Sequence, residues 1–366
     1  MSEIAEVDIL EDIGIVDEST NDETVAPERY DITSFGADYD VDGLVRRLNR
    51  GDIFIPDFQR DYVWKIPEAS RFIESLLLGL PVPGIFLARE RETNRLLVID
   101  GQQRLKTLQF FYSGYFNPQH DDKKQRVFAL TKVQARFEGK TYSTLEEHDR
   151  IKLDNSIIHA TVVKQEVPDD DDTSIYHIFE RLNNGGRKLM PQEIRVALYH
   201  GPFVEMLNNL NQNPFWRQIY GKENNRLKDH ELILRFLALY FDLESYRKPM
   251  AEFLNRFLSR HFAADQEVIH RSATIFDQTI ELMFNALGTS AFRPERSLNA
   301  AVFDSVMVGL AKRIATLAPL DEKKIASAYA TLLDNFEYQS AISSGTSDER
   351  SVITRITRAI SAFANV

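Results

Sequence analysis

The chain has 366 residues, 43% hydrophobic and 27% charged, with no cysteine and a formal net charge of -11. That is long enough for two domains with full cores, and it excludes disulfides, thiolate metal sites and cysteine nucleophiles. No apolar run approaches the roughly 20 residues of a membrane span. The acidic N-terminus also lacks a signal peptide's basic-then-apolar order, so a cytoplasmic protein with no membrane partner is expected.

The charge is uneven along the chain. Residues 1–29 hold ten Asp or Glu against Arg29, a net of -9, which leaves -2 for residues 30–366. Such a segment cannot bury enough apolar surface to offset its ordering entropy, so it reads as an acidic disordered tail. The other reading is a mimic of a nucleic-acid backbone. The near-neutral remainder can carry a basic cleft, so the low pI leaves DNA or a nucleotide open as a partner.

Structure is expected from about Tyr30. Asp40 can cap a helix that places Val41, Leu44, Val45 and Leu48 on one face and Arg46, Arg47 and Arg50 on the other, with Gly51 at its end. A short strand at Ile53–Ile55 is broken by Pro56 and runs into an aromatic-rich loop holding Gln59 and Arg60 among apolar neighbours. There Phe58, Tyr62 and Trp64 read as packing, while Arg60 has few ways to be satisfied. Pro67 opens a core helix with the stripe Ala69, Phe72, Ile73, Leu76, Leu77 and Leu80, ended by Gly79 and Pro81.

Ile85–Ala88 and Leu96–Ile99, joined through Thr93-Asn94, read as paired strands. The second strand leads into Asp100-Gly101-Gln102-Gln103-Arg104, after which Leu105, Leu108 and Tyr112 recur at helical spacing. Unpaired amides at a helix start, the positive dipole end, a glycine that lets a ligand approach and an arginine together favour a phosphate. The competing reading is an ordinary Asp-Gly turn with a solvated first helical turn.

Residues 126–142 offer another strand pair turning near Glu138-Gly139. Ser143–Glu146 has capping-box spacing before a short helix, and Ile157–Val163 is β-branched enough for a last strand. The first half is therefore mixed α+β. Asp169–Asp172 form an acidic entry to a helix with Ile175, Ile178, Phe179 and Leu182. That helix ends in Asn183-Asn184-Gly185-Gly186-Arg187, where adjacent glycines can expose amides as an anion nest or simply cap the helix. Gln192, Glu193 and Arg195 begin the next helix. From Pro202 onward only helices are expected, among them an apolar one over Leu232–Phe241, with Arg350, Arg355 and Arg358 either lining a basic face or exposed.

Taken together, Pro56–Trp64 (PDFQRDYVW), Glu74–Pro83 (ESLLLGLPVP), Asp100–Arg104 (DGQQR) and Phe179–Arg195 (FERLNNGGRKLMPQEIR) resemble the ordered motifs of the N-terminal domain of GmrSD-type modification-dependent restriction proteins. The resemblance runs from about residue 40 to about residue 210. It implies a ParB/sulfiredoxin-like α+β domain followed by an all-helical domain, here expected over 30–168 and 169–366. It also links DGQQR to nucleoside triphosphate binding and hydrolysis, coupled in phage-defence relatives to recognition of modified or foreign DNA.

Carried over by position, that activity would use Asp100, Gly101, Gln102, Gln103 and Arg104, with Gln59 and Arg60 as pocket neighbours. Gly101 and the following amides would hold phosphates with Arg104, and Asp100 would hold Mg²⁺ or position water. Gln102 or Gln103 would orient the attacking water, and Arg60 would neutralise charge in the transition state. Asn183, Gly185, Gly186 and Arg187 stand as a second phosphate-friendly cluster. The eight histidines are scattered, outside any His-Asn-His setting, so a separate nuclease partner is expected. Two alternatives are a DNA-binding adaptor using the same pocket without turnover, and a nuclease acting through Asp57, Asp61 and Asp100. The oligomeric state stays open, a homo-oligomer included.

Overall fold

The computed structural model describes residues 15–17, 31–55, 62–90, 93–118, 126–167, 178, 190–316 and 320–366. Contacts divide the chain into two units, Arg29–Leu189 and Met1–Glu28 with Met190–Val366. The division therefore falls after Leu189, where the sequence placed it after residue 168. Among the described residues, no helix is long and apolar enough to cross a membrane.

The first unit is α+β. Its sheet comprises β2 (Asp31–Asp40), β3 (Ile53–Phe54), β4 (Ile85–Arg89), β5 (Leu96–Asp100) and β6 (Ile157–Val167), in the order β2-β6-β4-β5-β3. β4 and β5 pair antiparallel as expected, with Leu87 opposite Val98, while β6 runs parallel to β4 and β3 parallel to β5. Leu96 to Ile99 are all buried, as a central strand covered on both faces requires.

Helix α1 (Val41–Arg50) starts where the Asp40 side chain accepts from Gly43 N at 2.6 Å and stops at Gly51 in the left-handed conformation. Its three outward arginines are occupied: Arg46 pairs with Asp42, Arg50 with Asp52, and Arg47 lies over the Tyr39 ring. α2 (Ile66–Leu78) buries Phe72, Ile73, Leu76 and Leu77, each contributing about 1.5–3 kcal/mol of burial. α3 (Gln102–Ser113) adds Leu105, Leu108 and Phe111 to the same core, and α4 (Glu147–Asp154) adds Leu153.

Four local expectations are corrected. β2 was not foreseen, because Asp31–Asp40 lies at the sheet edge and its side chains from Thr33 onward are largely exposed, leaving little alternation to read. The strand pair over 126–142 is instead an irregular loop with one bridge, Tyr115 to Val127, and its Phe128, Leu130 and Phe137 plug the core. Leu80 lies past the left-handed Gly79 and is 52% exposed rather than part of the α2 stripe. Before α4, the residue at the helix start is Glu146, without a side-chain cap, so Ser143 does not cap it.

Among its described residues, the second unit is helical apart from one two-residue strand pair. β1 (Ile15–Val16) runs parallel to β7 (Leu298–Asn299). Helices follow as α5 (Pro191–Leu198), α6 (Pro202–Asn211), α7 (Pro214–Tyr220), α8 (Lys228–Asp242), α9 (Met250–His261), α10 (Gln266–Leu287), α11 (Ala300–Ile314), α12 (Glu322–Leu333), α13 (Phe336–Ser343) and α14 (Glu349–Phe363). α8 and α11 are apolar nearly all round and form the centre. α14 comes so close to α11 that a Cβ on Gly309 would lie 2.8 Å from the Ala359 carbonyl carbon.

Two of the buried arginines of this unit share one counter-ion, Asp304. Arg235 donates from Nη2 to Asp304 at 2.6 Å and from Nη1 to Asp17 at 2.8 Å, and Arg355 approaches Asp304 at 3.4 Å and donates to the Thr346 carbonyl. Burial opposes the charge on Arg235, and Asp17 and Asp304 together outweigh it, raising its pKa above the usual value. Arg355 is thus fully buried, contrary to the basic-face and exposed readings alike. Ile15–Asp17 likewise depart from the disordered-tail expectation, because β1 supplies backbone pairing and Asp17 a counter-ion. The rest of residues 1–29 lies outside the described residues.

Candidate functional site

β5 delivers Asp100 to the edge of the core, and the chain turns at once into α3 through Gly101, at φ 103° and ψ 7°. Only glycine adopts that conformation without strain. A Cβ there would also lie 2.4 Å from Ile85 Cγ2. Ile85 fills the position a Cβ would take, so packing and backbone conformation already demand the glycine. Gly101 is the residue preceding α3 and offers no side-chain cap, while its carbonyl accepts from Leu105 N at 2.9 Å.

One helical turn on, Arg104 reaches back so that Nη2 donates to Asp100 Oδ2 at 2.7 Å. The side chains are 13% and 52% exposed, respectively. Arg104 Nε is buried without a hydrogen-bond partner. The corner therefore offers an anion a shielded guanidinium with a spare donor, and offers a cation a half-exposed carboxylate. Among the described residues, no three His, Asp or Glu side chains form a metal-binding group. A lone carboxylate suits Mg²⁺ only when phosphates and water supply the rest of its oxygen shell.

Gln103 acts differently from the expected water-orienting group. Its Oε1 accepts from Val63 N at 3.0 Å and Trp64 N at 3.3 Å, latching the end of the aromatic loop onto α3. Tyr62 secures the same junction, sharing a 2.7 Å hydrogen bond with Thr107 and packing edge-on against Phe110 and Phe116. Burial pushes the Tyr62 phenol up to about 12, which keeps it a neutral packing residue.

The structure thus brings together Asp100, Gly101, Gln103 and Arg104, with Gln102 partly exposed beside them. Gln59, Arg60, Asp57 and Asp61 lie outside the described residues, as do Asn183, Gly185, Gly186 and Arg187 and, apart from the helical Ile178, the helix expected from Ile175. The latch role of Gln103 and the Thr107 contact were missed. Thr107 sits one turn after Gln103 amid apolar neighbours, and a buried hydroxyl there was the available signal.

Residues 41–200 match the model of the GmrSD restriction endonuclease N-terminal domain. The uncharacterized protein MJ0686 of Methanocaldococcus jannaschii is 33% identical over 95 residues, covering 20% of this chain. This chain spans only 16% of that relative's length. The matched stretch holds the whole corner from Asp100 to Arg104 and the loop end latched to it, so residues 41–200 of this chain are similar to the GmrSD restriction endonuclease N-terminal domain.

Proposed function

We propose that this chain is the nucleotide-binding, Mg²⁺-dependent NTP-hydrolysing component of a DNA-restriction or phage-defence system, acting with DNA and a separate nuclease. The match of residues 41–200 to the GmrSD restriction endonuclease N-terminal domain supports the restriction context. The observation that carries the nucleotide reading is the shielded Arg104 guanidinium, which has one carboxylate partner and a spare Nε donor at the start of α3. In this reading Arg104 binds phosphate oxygens and stabilises charge as the terminal phosphoryl group leaves. Asp100 is freed from Arg104 to hold the cation or position water, and the Gln103 latch holds Val63 and Trp64 against α3. Bound Mg²⁺ would supply charge neutralisation on the phosphates.

The test is phosphate release from a panel of nucleoside triphosphates with Mg²⁺, with and without modified and unmodified DNA. Arg104→Ala should lower turnover at least about 100-fold while the circular dichroism spectrum is retained. Turnover at the wild-type rate in that variant overturns the assignment. Salt-sensitive DNA binding by the wild type with no turnover of any nucleotide would make the chain an adaptor instead.

A further inference from the structure

A second cleft lies wholly within the helical unit and encloses about 730 Å³, its open mouth included. Its floor is organised by Arg195, which is 1% exposed. That guanidinium donates to Asn255 Oδ1 at 2.7 Å, Gln192 Oε1 at 3.0 Å, Glu231 at 2.8 Å and the Ala251 carbonyl at 3.3 Å. Arginine has donors only, so it settles which way both carboxamides face: their oxygens turn toward it and their NH₂ groups turn away.

Gln192 Nε2 is consequently a buried donor with no partner, on a residue that is itself 1% exposed and lines the cleft. Leaving such a donor unsatisfied is costly, and an acceptor supplied from outside removes the cost. Arg226 and Lys228 put positive charge on the walls, Arg226 also pairing with Glu193 at 3.2 Å. The two acids in the lining, Asp17 and Glu231, are engaged by the buried Arg235 and Arg195. Ile15, Leu232 and Met250 supply apolar wall.

We infer that this cleft binds a small organic acid, a carboxylate or phosphate ester, whose oxyanion accepts from Gln192 Nε2 and whose apolar body lies against Ile15, Leu232 and Met250. The cleft uses none of the residues of the Asp100–Arg104 corner, and its test reads binding rather than turnover.

The experiment is titration calorimetry of the full chain with phenyl phosphate, 4-phenylbutyrate and inorganic phosphate. Saturable binding of either organic acid is expected, with inorganic phosphate about 10-fold weaker or more because it lacks an apolar body. Tighter binding of phenyl phosphate would assign the natural ligand as an ester, and tighter binding of 4-phenylbutyrate as a carboxylate. Gln192→Glu replaces the donor with a second acceptor, strengthens the contact to Arg195, and should keep the thermal midpoint while weakening binding at least about 10-fold. Absence of saturable binding by both acids, or full binding by folded Gln192→Glu, overturns the proposal. Should that variant unfold, Lys228→Glu decides in its place: a loss of about 10-fold or more supports the site and unchanged binding overturns it.

Discussion

Each unit contains an arginine–aspartate pair, and the two pairs stand in opposite surroundings. In the helical unit, Arg235 and Asp304 are 2% and 0% exposed and are tied into a network with Asp17 and Arg355. In the α+β unit, Arg104 and Asp100 share one contact and the carboxylate is half exposed, while an unpartnered Nε is common to Arg104 and Arg355. A closed charge network is architecture, because removing one member strands another in a medium that cannot solvate it. An open pair at the end of a helix is available for exchange, because an incoming anion or cation can replace either partner.

The largest expected effect tests the closed half of that contrast. Asp304→Asn leaves Arg235 and Arg355 without their shared counter-ion and should destabilise the helical unit by about 3–5 kcal/mol in urea denaturation. A loss below about 1 kcal/mol would mean the buried arginines find other partners, and the contrast with Arg104 would break. At the open corner, Gly101→Ala must accept both the left-handed conformation and the Ile85 contact, at about 2–4 kcal/mol by thermal melting. Gly51→Ala sharpens this reading, since Gly51 has φ 78° but nothing within 4 Å of its virtual Cβ, so strain alone acts there at about 1 kcal/mol.

A smaller effect concerns Asp229, at the start of α8. Burial pushes this carboxyl up, but His230, Asn211 and the Asn224 amide outweigh burial and hold it at about 2. A depressed pKa stabilises the fold above the ordinary value of 3.8 and loses that contribution as pH falls toward 2. Melting curves between pH 5 and pH 2 should show roughly 2 kcal/mol of this loss. Asp229→Asn should remove it, and an unchanged pH profile in that variant would show that another acid is responsible.

Local rules made much of the α+β unit legible. Asp40 and Gly51 mark both ends of α1, and the run from Leu96 through Leu108 gives strand, turn and helix in order. β2 escaped because an exposed edge strand has one-sided pairing and no apolar stripe. The 126–142 segment misled because Phe128, Leu130 and Phe137 are buried through a loop, giving apolar residues without strand periodicity. At the site, Asp100 and Arg104 were both singled out but with separate roles, and their ion pair was not read. The Gln103 latch was not, since its partners are backbone amides about 40 residues earlier that carry no sequence signature. The buried arginines were read as surface or passed over, although Arg235, set in the apolar run Leu232–Phe241, signals an internal counter-ion.

That counter-ion comes from the opposite end of the chain. Asp17 precedes Arg235 by 218 positions, and the whole Arg29–Leu189 unit is threaded between them. The α+β unit can complete its core from one continuous stretch, whereas the helical unit must gather β1 from the beginning of the chain and α14 from its end. A shortened protein trimmed at residue 30 to remove an acidic leader would therefore retain both arginines while losing a ligand for one of them, and its defect would surface far from the cut, in the packing of α8 against α11.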